Sequence, residues 1–134
     1  MIRVLVCGSR SWSSQEDRNL VFASLDYLRQ KLIQEGVKDL IIIEGECRGV
    51  DVAARDWAIS RNIVYLPFPA DWSKGKSAGP QRNLQMLKEG KPDLVIAFTN
   101  NIETSRGTKN MVTLARKARI DTIVLTRSEL EKRD

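Results

Sequence analysis

Four segments of the sequence set an arginine beside an expected helix start: "GSRSW" (8–12), "GECRGVD" (45–51), "AGPQRN" (78–83) and "TSRGT" (104–108), carrying Arg10, Arg48, Arg82 and Arg106. That placement opposes local electrostatics. A helix N-terminus carries a partial positive charge, so a cation there costs about 0.3 kcal/mol or more unless an anion is also present. Each arginine taken singly fits a solvated surface, and Gly45, Gly49, Gly79 and Gly107 taken singly fit turns. Recurring together, free helix N–H groups, close-approach glycines and guanidinium forks are the parts of a phosphate site.

Acids are scarcer at these turns. Glu44 ends an apolar run, where an acidic side chain in nucleotide-binding sheets takes ribose hydroxyls. Asp51 falls in the first turn of a helix, where it has a second available role, compensation of the dipole. Trp72, next to Asp71 in a long loop, and Trp12 are candidates for stacking on a base, whereas Trp57 lies on an apolar stripe and belongs to the core. Neither GxGxxG nor the Walker GxxxxGK[ST] occurs. Histidine is absent, which removes the commonest general base, the Ser-His triad and the His-containing zinc sites. Cys7 and Cys47 lack CxxC spacing and read as small thiols at strand ends. No catalytic residue, metal site or cofactor is assigned.

With 134 residues, 42% hydrophobic and 29% charged, the chain has the size of one domain, 1–134, with a single packed core. Its net charge of +5 and pI of about 9.5 suit an anionic partner without naming one. No apolar run approaches a membrane span and "MIRVLVCGSR" is not a signal peptide, so a cytoplasmic protein away from the membrane is expected.

The elements that must position these residues follow from hydrophobic period. The runs "IRVLVC" (2–7), "DLIIIE" (39–44), "IVYLPF" (63–68), "DLVIAF" (93–98) and "DTIVLT" (121–126) are short and continuous, as in strands buried on both faces of a parallel sheet. Between them the period becomes helical: Val21, Leu25, Leu28 and Leu32; Val50, Ala53, Ala54, Trp57 and Ala58; Leu84 and Leu87, ending before Gly90 and Pro92; and Met111, Leu114, Ala115 and Ala118. Ser13 with Glu16, or Ser14 with Asp17, offers a capping box, and Gly36 suits the end of the first helix. The alternation predicts an α/β Rossmann-like, doubly wound open sheet of five parallel strands in the order 3-2-1-4-5. A ligand then belongs outside the carboxyl ends of strands 1 and 4, at the switch point. The connections 69–80 and 99–107 are long enough to suggest function. The tail "SELEKRD" is expected to form a short polar helix or a frayed end.

Four blocks, "CGSRSW", "EGECRGVDVAARDWA", "FPADWSKGKSAGPQRNLQML" and "SRGTKNMVTLAR", together resemble the small YspA-like domains of the SLOG superfamily, common in bacteria and their phages. The resemblance covers Met1 to about Thr126. It implies a Rossmann-like domain that binds a nucleotide or nucleotide-derived molecule and self-associates as a homo-oligomer. The superfamily includes the Lonely Guy enzymes, which release free base from cytokinin nucleoside monophosphates, and the DprA proteins, which bind single-stranded DNA. Against the Lonely Guy PGGxGTxxE motif, Gly107 and Thr108 match the phosphate-holding Gly-Thr, and Ser105 and Arg106 replace a glycine and the variable residue. Met111 stands at the glutamate, and a thioether moves no proton. Against their RKxxM stretch, Arg82, Asn83 and Met86 match with Asn in place of Lys. The resemblance thus implies a binding module for a nucleotide signal, by sensing or sequestration, with phosphate on Arg106–Thr108 facing Gly8, Ser9 and Arg10. The alternative is an N-glycosidase or phosphohydrolase. Binding of nucleic acid ranks last, because no extended basic and aromatic groove is apparent.

Overall fold

A computed structural model describes residues 1–132. The elements run β1 (Ile2–Gly8), α1 (Gln15–Gln34), β2 (Leu40–Glu44), α2 (Val50–Ser60), β3 (Val64–Pro67), a 3-10 segment (Trp72–Ser77), α3 (Ala78–Gln85) with a π-helical turn (Met86–Gly90), β4 (Leu94–Phe98), α4 (Arg106–Lys117), β5 (Asp121–Leu125) and α5 (Arg127–Glu131). The strands are all parallel and ordered β3-β2-β1-β4-β5, as the alternation predicts. Of the expected C-terminal tail, α5 is helical, and Arg133 and Asp134 lie outside the described residues.

Alternation along β1 divides the core into two layers, because successive side chains leave a strand on opposite faces. Val4 and Val6 join Val21, Leu25, Val50, Ala54 and Trp57 beneath α1 and α2. Leu5 and Cys7 join Met86, Val95, Met111 and Ala115 beneath α3 and α4. Trp12 departs from expectation: it is only 2% exposed and packs against Phe98 with ring centroids 5.9 Å apart. It is a core residue, unavailable to a base. The chain bends inward there before α1 begins, which local sequence pattern does not reveal. Met111 is fully buried, as its apolar spacing predicts.

The capping box at α1 forms at Ser14 and Asp17 rather than one residue earlier: Asp17 N donates to Ser14 Oγ (3.1 Å) and Ser14 N to Asp17 Oδ2 (3.3 Å). Asp17 also pairs with Arg127, so the same carboxylate anchors α5 to α1. No helix among the described residues is long and apolar enough to cross a membrane.

At the switch point, backbones approach too closely for a side chain. A Cβ on Gly8 would lie 2.5 Å from the Phe98 carbonyl oxygen and 2.6 Å from Val50 Cγ2. Gly8→Ala is therefore expected to cost about 2 kcal/mol or more in urea unfolding, through overpacking against groups that cannot move aside. Gly36→Ala, at φ +89° but with nothing within 4 Å, should lose only about 1 kcal/mol.

Candidate functional site

The parallel order delivers four strand-to-helix connections to one edge of the sheet. There the β1–α1 loop, the β2–α2 loop, the 3-10 segment with α3, and the α4 N-terminus enclose a cleft of about 770 Å³. Arg10, Arg48, Arg82 and Arg106 all line it, with Gly8, Ser9, Asp51, Trp72, Asn83, Ser105, Gly107 and Thr108. Glu44, Gly45 and Gly49 do not line it, although they lie directly behind it.

Those three shape the wall. Gly49, at φ +87°, opens α2; a Cβ on it would lie 2.6 Å from the Ser9 carbonyl oxygen, so glycine lets the β1–α1 and β2–α2 loops touch. A Cβ on Gly45 would lie 2.4 Å from Arg82 Nη1. Glu44 is wholly buried, with Oε1 accepting from Glu46 N at 2.6 Å and Oε2 lacking a hydrogen-bond partner. Burial, reinforced by Glu46, pushes its carboxyl far above the usual carboxylate range, so Glu44 is protonated at neutral pH.

Arg82 and Asn83 tie the two banks together. Buried Arg82 donates through Nη1 to the Gly45 carbonyl (2.6 Å) and through Nε to Asn83 Oδ1 (3.0 Å), with Cys47 Sγ 3.7 Å from Nη1. Asn83 Nδ2 reaches the other way, to the Gly107 carbonyl (3.1 Å) and Asn110 Oδ1 (2.9 Å). One dipeptide on α3 thereby spans from the β2–α2 loop to the start of α4.

The cleft concentrates positive charge, with five cations and one carboxylate among its lining residues. Among the described residues, ion pairs join Arg18 and Arg55 to Asp56, Arg55 to Glu46, Arg61 to Asp26, Lys109 to Glu103 and Arg127 to Asp17. No such pair includes Arg10, Arg48, Lys76, Arg82 or Arg106, all of which line the cleft. α4 starts with neither an acidic residue in its first turn nor a side-chain cap, so its first N–H groups face the cleft uncompensated. Ser105, its N-cap, instead shares a hydrogen bond with Thr99 (Oγ–Oγ1 2.9 Å).

Asp51 is the one carboxylate among the lining residues. Burial raises it to about 6, against the opposing pull of Arg82, of the Cys47 and Gly45 backbone N–H groups and of Arg10. Cys47 N donates to Asp51 Oδ2 at 3.2 Å. Burial also pushes the Cys7 thiol far up, so it stays neutral. Among the described residues, no group of acids and cysteines is placed to hold a metal.

Sequence reasoning missed Lys76, Asn110 and Thr104, and passed over Cys7, Cys47 and Gly79 as site residues, all of which line the cleft. Lys76 lies in the long loop already singled out by length. Asn110 follows Gly107 by three residues, one helical turn, and so shares its face.

A parallel sheet with this order and a cleft at its switch point defines a Rossmann-like α/β protein. The sequence matches the YAcAr family, the YspA, cpYpsA-related SLOG family, over residues 2–75, and the chain belongs to it. That match includes Arg10, Arg48, Asp51 and Trp72, while Arg82 and Arg106 lie beyond it. Among solved structures the fold is similar to DNA processing protein A (DprA) from Streptococcus pneumoniae, with a TM-score of 0.66 and 19% identity over 92% of this chain and 50% of that one. The chain therefore spans about half the length of that protein, and the likeness is one of fold. No curated protein matches the sequence.

Glu44 generates a pH prediction. Its folded pKa lies above the ordinary 4.5, so the folded state holds the proton more tightly and stability falls as pH rises from that value through neutrality. Glu44→Gln removes the titration. Urea unfolding at pH 5 and pH 8 should show the variant gaining on the wild type at the higher pH; an unchanged difference would mean that Glu44 does not titrate in this way.

Proposed function

We propose that this chain is a single ligand-binding domain over 1–134 that holds a nucleotide or nucleotide-derived molecule, in sensing or sequestration. The observation that carries the proposal is the gathering of five cations, Arg10, Arg48, Lys76, Arg82 and Arg106, around one cleft lined by a single carboxylate, none of the five in an ion pair among the described residues. Leaving Arg10, Arg48, Lys76 and Arg106 together is electrostatically costly unless an anion joins them. The volume is that of a small-molecule pocket, about 300–1,000 Å³. Membership in a SLOG family supports a nucleotide-related ligand.

In this account phosphate binds the Arg106–Thr108 turn, on the N–H groups of α4 and the Thr108 hydroxyl. Gly8, Ser9 and Arg10 face it across the switch point, and Arg48 adds charge-assisted hydrogen bonds. Asp51 takes a ribose hydroxyl. Arg82 has already committed Nε and Nη1 to protein acceptors, so its part is chiefly to hold the cleft open and to contribute field. Buried Glu44 acts through the wall rather than on the ligand. Self-association, expected from the resemblance, belongs to the same proposal and is read from size-exclusion with light scattering.

Calorimetry against AMP, ADP, a cyclic nucleotide and ADP-ribose should give binding that Arg106→Ala weakens about ten-fold or more, the value of a charge-assisted hydrogen bond. Arg18→Ala, which breaks the pair with Asp56 outside the cleft, should leave it unchanged. Absence of heat and of thermal shift across the panel would remove the proposal.

Asp51 favours a second reading, hydrolysis of an N-glycosidic or phosphate bond. A buried carboxylate that lines the cleft and is ionised above pH of about 6 is placed to take a proton from water. Turnover of a nucleotide panel followed by chromatography should then rise as pH passes 6 and vanish in Asp51→Asn. Full recovery of every nucleotide after prolonged incubation at high protein concentration would exclude hydrolysis of that panel.

A further inference from the structure

Trp72 is 51% exposed, whereas Trp12 and Trp57 are buried. It is held in place from two sides. Asp71 caps its 3-10 turn, accepting from Ser73 N at 3.2 Å, and one edge of the ring overlooks Gly79, where a Cβ would sit 3.7 Å from Cη2. Over the ring lies the guanidinium of Arg10, its Cζ 5.1 Å from the ring centroid. This contact crosses the mouth of the cleft, from the β1–α1 loop to the segment before α3. Among the described residues no carboxylate lies at ion-pair distance from Arg10, which also makes a weak contact, Nη2 to Cys47 Sγ at 3.7 Å.

The gap is too small for a planar ring to enter. Stacking needs about 3.5 Å on each face, so a base between the two groups requires about 7 Å. A base can therefore reach the face of Trp72 that Arg10 covers only by replacing the guanidinium. The aromatic face is a weak partner for Arg10 compared with a phosphate, which offers charge-assisted and bidentate hydrogen bonds. A phosphate on the α4 turn would thus draw Arg10 from the ring and expose the platform.

We propose that Arg10 and Trp72 form a latch that couples the two halves of a nucleotide: phosphate takes Arg10, and the base takes the place Arg10 leaves on Trp72. The inference rests on the phosphate site proposed above and deepens it, since it makes the ligand a base-bearing phosphate rather than a sugar phosphate. A nucleoside without phosphate must displace Arg10 unaided and binds poorly. Arg10 is a specificity residue for the combination, not for either part.

Calorimetric titrations of the wild type, Trp72→Leu and Arg10→Ala with AMP, ribose 5-phosphate and adenosine separate the outcomes. Both side chains are exposed, so both variants should fold. Trp72→Leu should weaken AMP about ten-fold, the worth of one stacked base, and leave ribose 5-phosphate within about two-fold. Arg10→Ala should weaken AMP but leave adenosine equal or tighter, because no guanidinium then covers the ring. In the wild type, ribose 5-phosphate alone should change the emission of Trp72, the exposed tryptophan, as Arg10 departs. Equal effects of Trp72→Leu on AMP and ribose 5-phosphate, or loss of adenosine in Arg10→Ala, would overturn the latch while leaving the phosphate site standing. No heat from AMP or ribose 5-phosphate would overturn both.

Discussion

The shape of the cleft depends on how one buried guanidinium is satisfied. Arg82 is 8% exposed, and a charge so placed needs acceptors nearby. It finds the Gly45 carbonyl at 2.6 Å, in a space that only glycine leaves open, and the side chain of Asn83 beside it. Asn83 passes the constraint on to Gly107 and Asn110 of α4. The β2–α2 loop, α3 and α4 are thereby tied to one another on both sides of the β1–β4 switch.

On that frame the distribution of charge becomes informative. Between α1 and α2 acids and bases meet, as Asp26 does with Arg61 at 2.8 Å and Asp56 with Arg18 at 3.0 Å. In the cleft one carboxylate, Asp51, faces five cations, and α4 opens toward them with no acid of its own. By contrast α1 begins on the same edge but closes its N-terminus with Ser14 and Asp17. Two helix starts on one edge are thus treated oppositely, one sealed internally and one left for a negative group. That difference is what the proposed placement of the phosphate on α4 rests on.

Much of this was legible in the sequence. Continuous Val/Ile runs separated by helical stripes can be buried only as a parallel sheet between two helical layers, so strand order and switch point followed. The edge carrying Arg10, Arg48, Arg82 and Arg106 followed from the same topology. What eluded sequence reasoning were properties of three-dimensional neighbours. Trp12 is polar-flanked in sequence, yet the loop folds it onto Phe98. Glu44 ends its strand where a ribose ligand is expected, yet Gly45 and Glu46 bury it behind the wall. Arg82 looks like a free cation until its acceptor, 37 residues earlier, is brought beside it. Lys76 and Asn110 lie within quoted blocks but had no role assigned, and only the closure of the cleft brings them into the site.

The most direct test is a nitrogen-edited NMR titration of the labelled protein with AMP and ADP, following backbone amides. The account predicts the largest shifts at Arg106, Gly107 and Thr108, with smaller ones at Gly8–Arg10 and Arg48. Shifts confined to other surfaces, such as the Gly36–Asp39 turn at the opposite end of the sheet, or none at the α4 N-terminus at saturating nucleotide, would contradict it.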